Sequence, residues 1–362
     1  MRVAVLGAGA GGAAAVVELL GNGHDVVLWN RSSETLAPFQ NLGGVRFAGV
    51  LGEGVARPSA ITSSLPIATR GADAAVVALP THSHGTIAQA LAAFGWPADR
   101  PVILNPGHTG GALEFETAYR AHRRHVPPIA EFSTLTYVAR KYAPDCVTVT
   151  GKAKAVRVAA LPRGEAAIEA ARTLFPSAEP VADVLASDLS NVNMVLHPPG
   201  AVLAAAWVEA RRGDFTFYVD AMTQGVGRAM KALDDERRAV ARAFGHDLPN
   251  LIDEMKRIGT VEDSIDDLED FVAAIAGGEA NSRIKAPDSF EHRYYREDFG
   301  HGLLPFIEIA RIAGIETPVA HSLLVLAETM TGADFREGGR TAEAMGIARL
   351  DKAGLEKRVR GT

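Results

Sequence analysis

A glycine-rich turn near the N-terminus constrains the fold of this chain most. Residues 2–6 (RVAVL) form a short apolar run without helical periodicity, which predicts a buried parallel strand. Gly7, Gly9 and Gly12 follow at once with the spacing G-x-G-x-x-G and open a predicted apolar helix. With a second strand after that helix, the segment predicts the strand, helix and strand of a dinucleotide-binding unit, over residues 2–6, 13–20 and 25–29.

Each of the three glycines has its own task in such a unit. Gly7 permits the tight turn, Gly9 lets the main chain approach a pyrophosphate, and Gly12 lets the helix pack closely on the strand. The free amides at the helix N-terminus would then face the phosphates. We therefore predict that these glycines bind a dinucleotide cofactor.

The end of the second strand indicates which dinucleotide is bound. An acidic residue there would bind the ribose hydroxyls of NAD(H), whereas this chain has Asn30, Arg31 and Ser32. A guanidinium beside a hydroxyl suits a 2′-phosphate, so the sequence favours NADP(H), with NAD(H) as the alternative. The competing interpretation is a solvated arginine beside a pocket that accepts both cofactors.

Apolar strands continue to alternate with helices after this unit. The alternation predicts an α/β fold with a doubly wound parallel sheet, the Rossmann arrangement. Ligands bind at the carboxyl ends of such strands, and we therefore predict cofactor contacts from Pro80 and Thr81. Three histidines in these loops are interpreted as polar pocket lining rather than metal ligands, namely His82, His84 and His108.

The pattern changes near residue 187, where strand-like runs cease. We predict a dinucleotide-binding domain over residues 1–187 and an all-α substrate and catalytic domain over residues 188–362. Its helices are predicted over residues 188–197, 201–212, 219–244, 248–258, 261–275, 303–312, 319–331 and 341–348.

Charge and cysteine content narrow the function classes. A net charge of −6 offers no bulk attraction to nucleic acid or to anionic membranes, so neither partner is expected. The single cysteine, Cys146, excludes an internal disulfide and multi-cysteine metal centres, and no metal site is expected. The apolar stretch 3–20 is interrupted by glycines and Glu18, which disfavours a membrane span or signal peptide, and a cytoplasmic location is expected.

A histidine near the start of the predicted helical domain is a candidate catalytic residue. The segment 190–200 reads SNVNMVLHPPG, in which Asn193 and His197 are four apart and share one helix face. Pro198 biases His197 away from helical geometry, which predicts a histidine at a helix end or kink, directed into a cleft. Alone, a histidine on an apolar helix is more often a core residue.

A polar, aromatic-rich loop follows over residues 281–300. It is interpreted either as a solvated connection in which Asp298 caps the next helix, or as a substrate loop. In the second interpretation Arg293 pairs with a substrate carboxylate and Asp298 holds His197. We add Asn193 and Tyr294 as predicted substrate contacts.

The segments SNVNMVLHPPG and HRYYREDFG, behind an N-terminal GAGAGG, resemble the opine dehydrogenase family of octopine and nopaline dehydrogenases. The resemblance implies that His197 is the catalytic histidine, Asp298 its carboxylate partner and Arg293 the ligand of a substrate carboxylate. It also implies reductive condensation of an amino acid with a 2-oxo acid such as pyruvate, using NAD(P)H, and the reverse oxidation. The amine substrate stays open, because no motif on that side of the site matches.

Two other functions compete with this interpretation. A simple hydroxy-acid reductase of the ketopantoate or glycerol-3-phosphate dehydrogenase type would use a helix-borne lysine, and the helical half before the loop offers only Lys231 and Lys256. A nucleotide-sensing protein without turnover is the non-enzymatic alternative. The apolar helix over residues 201–207 suggests a homodimer face, although burial within one chain explains it equally well.

Overall fold

The computed structural model describes residues 1–278, 281–282 and 284–361. Arg283, in the predicted polar loop, lies outside the described residues. The strands are Arg2–Leu6 (β1), Asp25–Trp29 (β2), Val45–Gly49 (β3), Gly54–Ala56 (β4), Ala60–Thr62 (β5), Ala74–Val77 (β6), Val102–Leu104 (β7), Ile129–Phe132 (β8), Tyr137–Ala143 (β9), Cys146–Lys152 (β10), Val156–Ala160 (β11) and Ala178–Pro180 (β12).

The first nine helices are Ala10–Gly21 (α1), Ser33–Leu42 (α2), Leu65–Thr69 (α3), His84–Phe94 (α4), Gly111–Arg120 (α5), Glu165–Leu174 (α6), Val184–Asp188 (α7), Val192–Leu203 (α8) and Ala205–Arg211 (α9). The others are Gln224–Ala243 (α10), Leu251–Ile258 (α11), Phe271–Gly277 (α12), Arg293–Arg296 (α13), Leu304–Ala313 (α14), Pro318–Thr331 (α15) and Lys352–Arg360 (α16). Within the described part of the chain, no helix combines the length and the apolar character needed to cross a membrane.

The chain divides into two compact units. The first comprises Met1–Gly107 and Gly111–Val184, and the second comprises His108–Gly110 and the chain from Leu185 onward. The division after residue 184 lies close to the predicted one at 187. The assignment of cofactor to one domain and substrate to the other stays a prediction.

The first unit is built on an eight-stranded sheet. Its order is β12-β11-β8-β7-β6-β1-β2-β5, and all neighbours run parallel except β8 and β11. Strands β1 and β6 are almost wholly buried and consist mainly of alanine and valine, as expected for a sheet covered on both faces. The predicted α/β Rossmann sheet is therefore confirmed, and it places the turn after β1 between the ends of β2 and β6.

A second sheet in this unit escaped the sequence analysis. It has the order β4-β3-β10-β9, and a buried carboxylate on α1 joins it to the helix. Glu18 Oε2 accepts a 2.5 Å hydrogen bond from the Tyr137 hydroxyl, and its other oxygen pairs with Lys152. Burial, followed by the proximity of Glu18, raises the pKa of Tyr137 well above its ordinary value. Glu18 thus interrupts an apolar helix because two polar groups of the small sheet need a carboxylate.

Replacing Glu18 with leucine should lower the free energy of unfolding by about 2–4 kcal/mol, because it leaves the buried Tyr137 hydroxyl without its acceptor. Urea denaturation measures the change. Glu53→Leu, at an exposed loop position, is the control and should stay within about 0.5 kcal/mol of the original protein. Equal stability of the two variants would contradict the role assigned to Glu18.

Several helix boundaries in the second unit differ from the prediction. The structure forms one helix, α8, where a stop at His197 and a new start at 201 were predicted. Two prolines inside a helix cost about 3 kcal/mol each, but most of α8 is buried, and this packing offsets the cost. The helix predicted from residue 219 begins only at Gln224, and that predicted from 261 only at Phe271. Turns replace the helix predicted over 341–348, and α16 was not predicted.

Candidate functional site

The glycine turn of the first unit has the geometry of a phosphate cradle. Gly7 has a φ of +127°, and a Cβ there would lie 2.3 Å from the Ala78 carbonyl oxygen. A Cβ on Gly12 would lie 1.9 Å from the carbonyl oxygen of Gly7. A Cβ on Gly9 would meet nothing within 4 Å, so the space above this residue, at the start of α1, is open. The turn therefore fits a dinucleotide: two glycines are needed for packing, and the third leaves room for the ligand.

Asn30 connects this turn to the end of β2. Its Oδ1 accepts a 3.2 Å hydrogen bond from the Ala8 N–H, and its Nδ2 donates to the Ser32 carbonyl at 3.4 Å. Ser32 Oγ caps α2 by accepting from the Thr35 N–H, and Arg31 is exposed between them. Asn30 thus orients the glycine turn, and the exposed guanidinium of Arg31 could contact an anionic ligand at the end of β2.

Thr81 lies at the carboxyl end of β6, in a single 3₁₀ turn over Thr81–Ser83 that follows Pro80. The residue is buried, and within the described part of the chain its hydroxyl has no hydrogen-bond partner. Buried hydroxyls are normally paired. An unpaired one at the ligand edge of the sheet fits a group that a cofactor would satisfy.

His108 is part of the second compact unit, together with the two residues after it, although the loop that carries it follows β7 of the first unit. Its predicted role as polar pocket lining stays a prediction. Thr109 and Gly110 explain this placement. The Thr109 carbonyl accepts a 2.7 Å hydrogen bond from the buried Arg340, and the Gly110 N–H donates to Asp188 Oδ1 at 2.7 Å. These buried polar contacts hold the segment against the helices, and sequence spacing does not reveal them.

The pKa of His108 is lowered to about 3, mainly by burial, with Asp298 acting in the opposite direction and Arg293 and Arg340 in the same one. Since an unfolded histidine titrates near 6.5, the unfolded chain binds a proton between pH 6.5 and 3 that the folded chain does not. Stability should therefore fall as the pH falls through this window, by about 2 kcal/mol at pH 5 from this residue. His108→Asn, which tolerates the positive φ of 59°, should flatten the dependence of the urea midpoint on pH. His125→Asn, at an exposed position, should keep the original slope, and equal slopes for the two variants would contradict the assignment.

Helix α8 positions the predicted catalytic histidine. Asn191 caps the helix by accepting a hydrogen bond from the Asn193 N–H at 3.1 Å. Asn193 is half-buried in the first turn, and His197 is one turn further on and buried. Pro198 and Pro199 remove the helical N–H donors of the turn after His197 without ending the helix. The predicted shared face of Asn193 and His197 therefore exists, although His197 lies within the helix rather than at its end.

Asp298 lies directly against His197. Its Oδ2 is 2.7 Å from His197 Nδ1, and both side chains are buried. Asp298 precedes a π-helical turn over Phe299–Leu303, yet its side chain makes no capping hydrogen bond to that turn. The helix-cap interpretation of Asp298 is therefore wrong, and its carboxylate holds the imidazole. A carboxylate on Nδ1 keeps the proton on that nitrogen and leaves Nε2 for other partners.

Tyr218 takes the other nitrogen of this imidazole. Its hydroxyl is 2.8 Å from His197 Nε2 and 3.2 Å from the Tyr294 hydroxyl. The Tyr294 ring stacks on the imidazole with a centroid distance of 3.8 Å and an interplanar angle of 21°. Sequence reasoning missed Tyr218, because it assigned residue 219 to the start of a helix. The signal was the aromatic run over Phe215–Tyr218, between two predicted helices.

The short helix α13 carries Arg293 and Tyr294. The His292 side chain caps it, since its Nδ1 accepts a 3.3 Å hydrogen bond from the Tyr294 N–H. Burial lowers the pKa of His292 to about 4, and nearby positive charge acts in the same direction, so the ring stays neutral and can accept this bond. Arg293 is exposed to solvent. Desolvation by its surroundings lowers the pKa of Arg293, and the carboxylates of Glu297 and Asp298 raise it by more, so the guanidinium stays charged.

The second unit thus brings four predicted residues into one neighbourhood and leaves the two candidate lysines elsewhere. His197, Asp298 and Tyr294 are in contact, and Arg293 directly precedes Tyr294 on α13. Lys231 pairs with Glu269, and Lys256 donates to the Ile265 carbonyl. A lysine acid of the simple reductases therefore finds no support in these contacts.

A glycine turn on a Rossmann sheet and a histidine–carboxylate pair on an all-α unit define an NAD(P)-dependent oxidoreductase. Comparison with known proteins agrees. Residues 180–331 match the family model for the α-helical domain of NAD/NADP octopine/nopaline dehydrogenase, and residues 3–104 match that for ketopantoate reductase PanE/ApbA. An opine dehydrogenase of Arthrobacter sp. (strain 1C) is 33% identical over 359 residues, covering 98% of each chain. The chain belongs to the opine dehydrogenase family.

Solved structures show the same fold. Octopine dehydrogenase in complex with NADH and agmatine superposes with a TM-score of 0.79 at 20% identity, covering 100% of this chain and 98% of that one. NADP⁺-bound yersinopine dehydrogenase superposes with a TM-score of 0.73 at 15% identity, covering 98% and 96%. The predicted Rossmann domain with an all-α partner is therefore confirmed by fold as well as by family.

Proposed function

We propose that this protein is an opine dehydrogenase that reductively condenses the amino group of an L-amino acid with a 2-oxo acid such as pyruvate, and catalyses the reverse oxidation. The 2.7 Å hydrogen bond between His197 Nδ1 and the Asp298 carboxylate carries the proposal. It provides a buried imidazole with a fixed tautomer, which suits proton transfer during imine formation. The accessible guanidinium of Arg293 provides a planar fork for a carboxylate of the oxo acid.

These residues divide the work in a simple way. Arg293 binds and orients the oxo-acid carboxylate. His197 supplies the proton that reaches the substrate oxygen as water leaves, and takes a proton back in the reverse direction. Asp298 holds the tautomer and stabilises the charged imidazole. Asn193 and Tyr294, on the first turn of α8 and on α13, are the proposed polar and aromatic contacts of the substrate.

The cofactor is proposed to be NADP(H), with NAD(H) as the alternative. When bound, it supplies the hydride for reduction. Gly7, Gly9 and Gly12 would hold its pyrophosphate. The 2′-phosphate would contact Arg31 and Ser32. The Asn30 side chain donates a hydrogen bond to the backbone carbonyl of Ser32 and so positions it. Pro80 and Thr81 would lie on the nicotinamide side, where the unpaired Thr81 hydroxyl offers a hydrogen bond.

Arg31→Ala should raise the Kd of NADPH about tenfold and leave the Kd of NADH unchanged, because only the 2′-phosphate loses a charged partner. Fluorescence titration with both cofactors measures this ratio. Arg70→Ala, at another exposed arginine of the same unit, should alter neither affinity. An equal loss for NADPH and NADH would instead favour an arginine that does not discriminate between them.

A matrix of amines and 2-oxo acids tests the function itself. Each pair is incubated with NADPH and with NADH, and mass spectrometry looks for a secondary amine dicarboxylate. Cofactor consumption that requires both the amine and the oxo acid supports the proposal. Consumption with pyruvate alone, giving a hydroxy acid, would instead indicate a simple reductase.

Two further expectations concern the setting of the protein. The homodimer face predicted on residues 201–207 leaves Leu203 and Trp207 about half exposed, at 53% and 49%. We propose that this surface pairs two copies, and light scattering tests it by mass. A cytoplasmic location stays a prediction, and fractionation of cells that express the protein tests it.

A further inference from the structure

Both nitrogens of the proposed catalytic imidazole are engaged by protein groups. Nδ1 contacts the Asp298 carboxylate at 2.7 Å, and Nε2 contacts the Tyr218 hydroxyl at 2.8 Å. The same hydroxyl lies 3.2 Å from that of Tyr294. Because Asp298 fixes the proton on Nδ1, Nε2 is the nitrogen that must exchange a proton with substrate. That exchange therefore meets Tyr218 first.

We propose that Tyr218 carries the proton between His197 and the substrate, and that the Tyr294 hydroxyl orients it. This inference rests on the proposed function, because it assumes that His197 is the acid and base. The proposal adds a relay through a neutral phenol to the histidine, carboxylate and arginine that the sequence predicted.

The relay balances protons and charge overall, since the positive charge passes from the imidazole to the imine. In the condensing direction the charged imidazole gives its Nε2 proton to the Tyr218 oxygen, while the Tyr218 proton passes to the hydroxyl of the amine–oxo-acid adduct. The carbon–oxygen bond breaks, water leaves, and the nitrogen lone pair forms the carbon–nitrogen double bond. The phenol ends neutral, and the imidazole ends neutral, with its remaining proton on Nδ1 and hydrogen-bonded to Asp298. The reverse direction moves the same proton back.

The surroundings of the imidazole favour a relay over direct contact. His197, Tyr218 and Tyr294 are each at most 5% exposed. The Tyr294 ring covers one face of the imidazole, and the Phe217 ring lies edge-on at a centroid distance of 6.2 Å. Little of the imidazole is open to solvent, and the Tyr218 hydroxyl already contacts its Nε2.

Backbone pairing fixes the position of Tyr218. The Phe217 N–H donates to the Ile284 carbonyl at 2.9 Å, and the Ala286 N–H donates to the Phe215 carbonyl at 2.9 Å. These bonds tie the segment before Tyr218 antiparallel to the chain that leads to α13. This backbone pairing holds the segment of Tyr218 beside the chain that carries Tyr294, and their hydroxyls are 3.2 Å apart.

Tyr218→Phe tests the relay, because it removes one oxygen and keeps the ring. We expect kcat to fall about tenfold to a hundredfold, with the KM of the oxo acid changed less than about threefold. We also expect the solvent deuterium proton inventory to change from curved, with two protons in flight, to linear. Unchanged or higher turnover with a lower KM would overturn the relay, because it would mean that Tyr218 only occupies the place of the substrate.

Tyr295→Phe is the matched control. Tyr295 is a buried tyrosine next to Tyr294, and its hydroxyl donates to the Ala201 carbonyl at 2.8 Å. Its loss should lower the melting temperature and leave the proton inventory curved. If Tyr218→Phe does not fold, 3-fluorotyrosine at position 218 keeps the hydroxyl and makes it more acidic. The basic limb of the kcat profile should then move to lower pH, and an unmoved limb would overturn the relay.

His197→Ala separates this inference from the function on which it rests. An inactive His197→Ala protein beside a fully active Tyr218→Phe protein would overturn the relay alone. An active His197→Ala protein would overturn the proposed role of the histidine, and the relay with it.

Discussion

Replacing His197 with alanine is expected to lower kcat about a hundredfold or more and to leave the Kd of NADPH unchanged. The imidazole is buried, and its two nitrogens contact Asp298 at 2.7 Å and Tyr218 at 2.8 Å. Its removal takes away the proton donor, whereas the glycine turn lies in the other compact unit of the chain. Steady-state kinetics with saturating cofactor and fluorescence titration of NADPH measure the two quantities.

His321→Ala is the control for this experiment, since His321 is an exposed histidine of the same unit. It should retain the original turnover and melting temperature. Asp298→Asn should show a large part of the His197 effect, because an amide no longer fixes the tautomer or stabilises the charged ring. Unchanged turnover in His197→Ala would refute the assignment.

Replacing Arg293 with glutamine is expected to lower kcat/KM for the 2-oxo acid about a hundredfold. Loss of a bidentate guanidinium–carboxylate pair removes about 2–4 kcal/mol, and most of it should appear as a higher KM. Arg293→Lys keeps the charge without the planar fork, so its kcat/KM should lie between that of the original protein and that of Arg293→Gln. Initial rates over a range of pyruvate concentrations measure the effect.

Arg296 provides a control on the same short helix. It is exposed and pairs with Glu291. Arg296→Gln should leave the KM of pyruvate within about twofold of the original value, as expected for an exposed ion pair. If both substitutions raised KM equally, a general loss of positive charge on α13 would explain the result, and the specific role of Arg293 would be wrong.

Local sequence patterns predicted the parts of this protein that depend on neighbouring residues. The spacing of Gly7, Gly9 and Gly12 predicted the strand, turn and helix, because the turn itself and the packing of Gly12 on Gly7 involve residues close together in the sequence. Asn193 and His197 were predicted on one helix face for the same reason, since the helical period relates them directly. Residue pattern and the family resemblance together paired His197 with Asp298, although a long stretch of chain separates them.

The errors occurred where distant groups decide. Pro198 and Pro199 indicated the end of a helix, but the burial of α8 outweighs the cost of two prolines. Glu18 looked like an interruption of an apolar stretch until its partners, Tyr137 and Lys152, were seen on the second sheet. The packing around α8 and the partners of Glu18 both come from distant parts of the chain, which a pattern of neighbouring residues does not show.

The sequence by itself determined the Rossmann class, the resemblance to the family and the choice of His197, Asp298 and Arg293 for the proposed chemistry, because glycine spacing and the histidine and arginine segments are local. Only the tertiary structure decided that His108 joins the helical unit and that Tyr218 closes on Nε2 of His197. Both outcomes depend on buried hydrogen bonds between segments far apart in the chain. Such bonds form only where packing has excluded water and each polar group must find a partner.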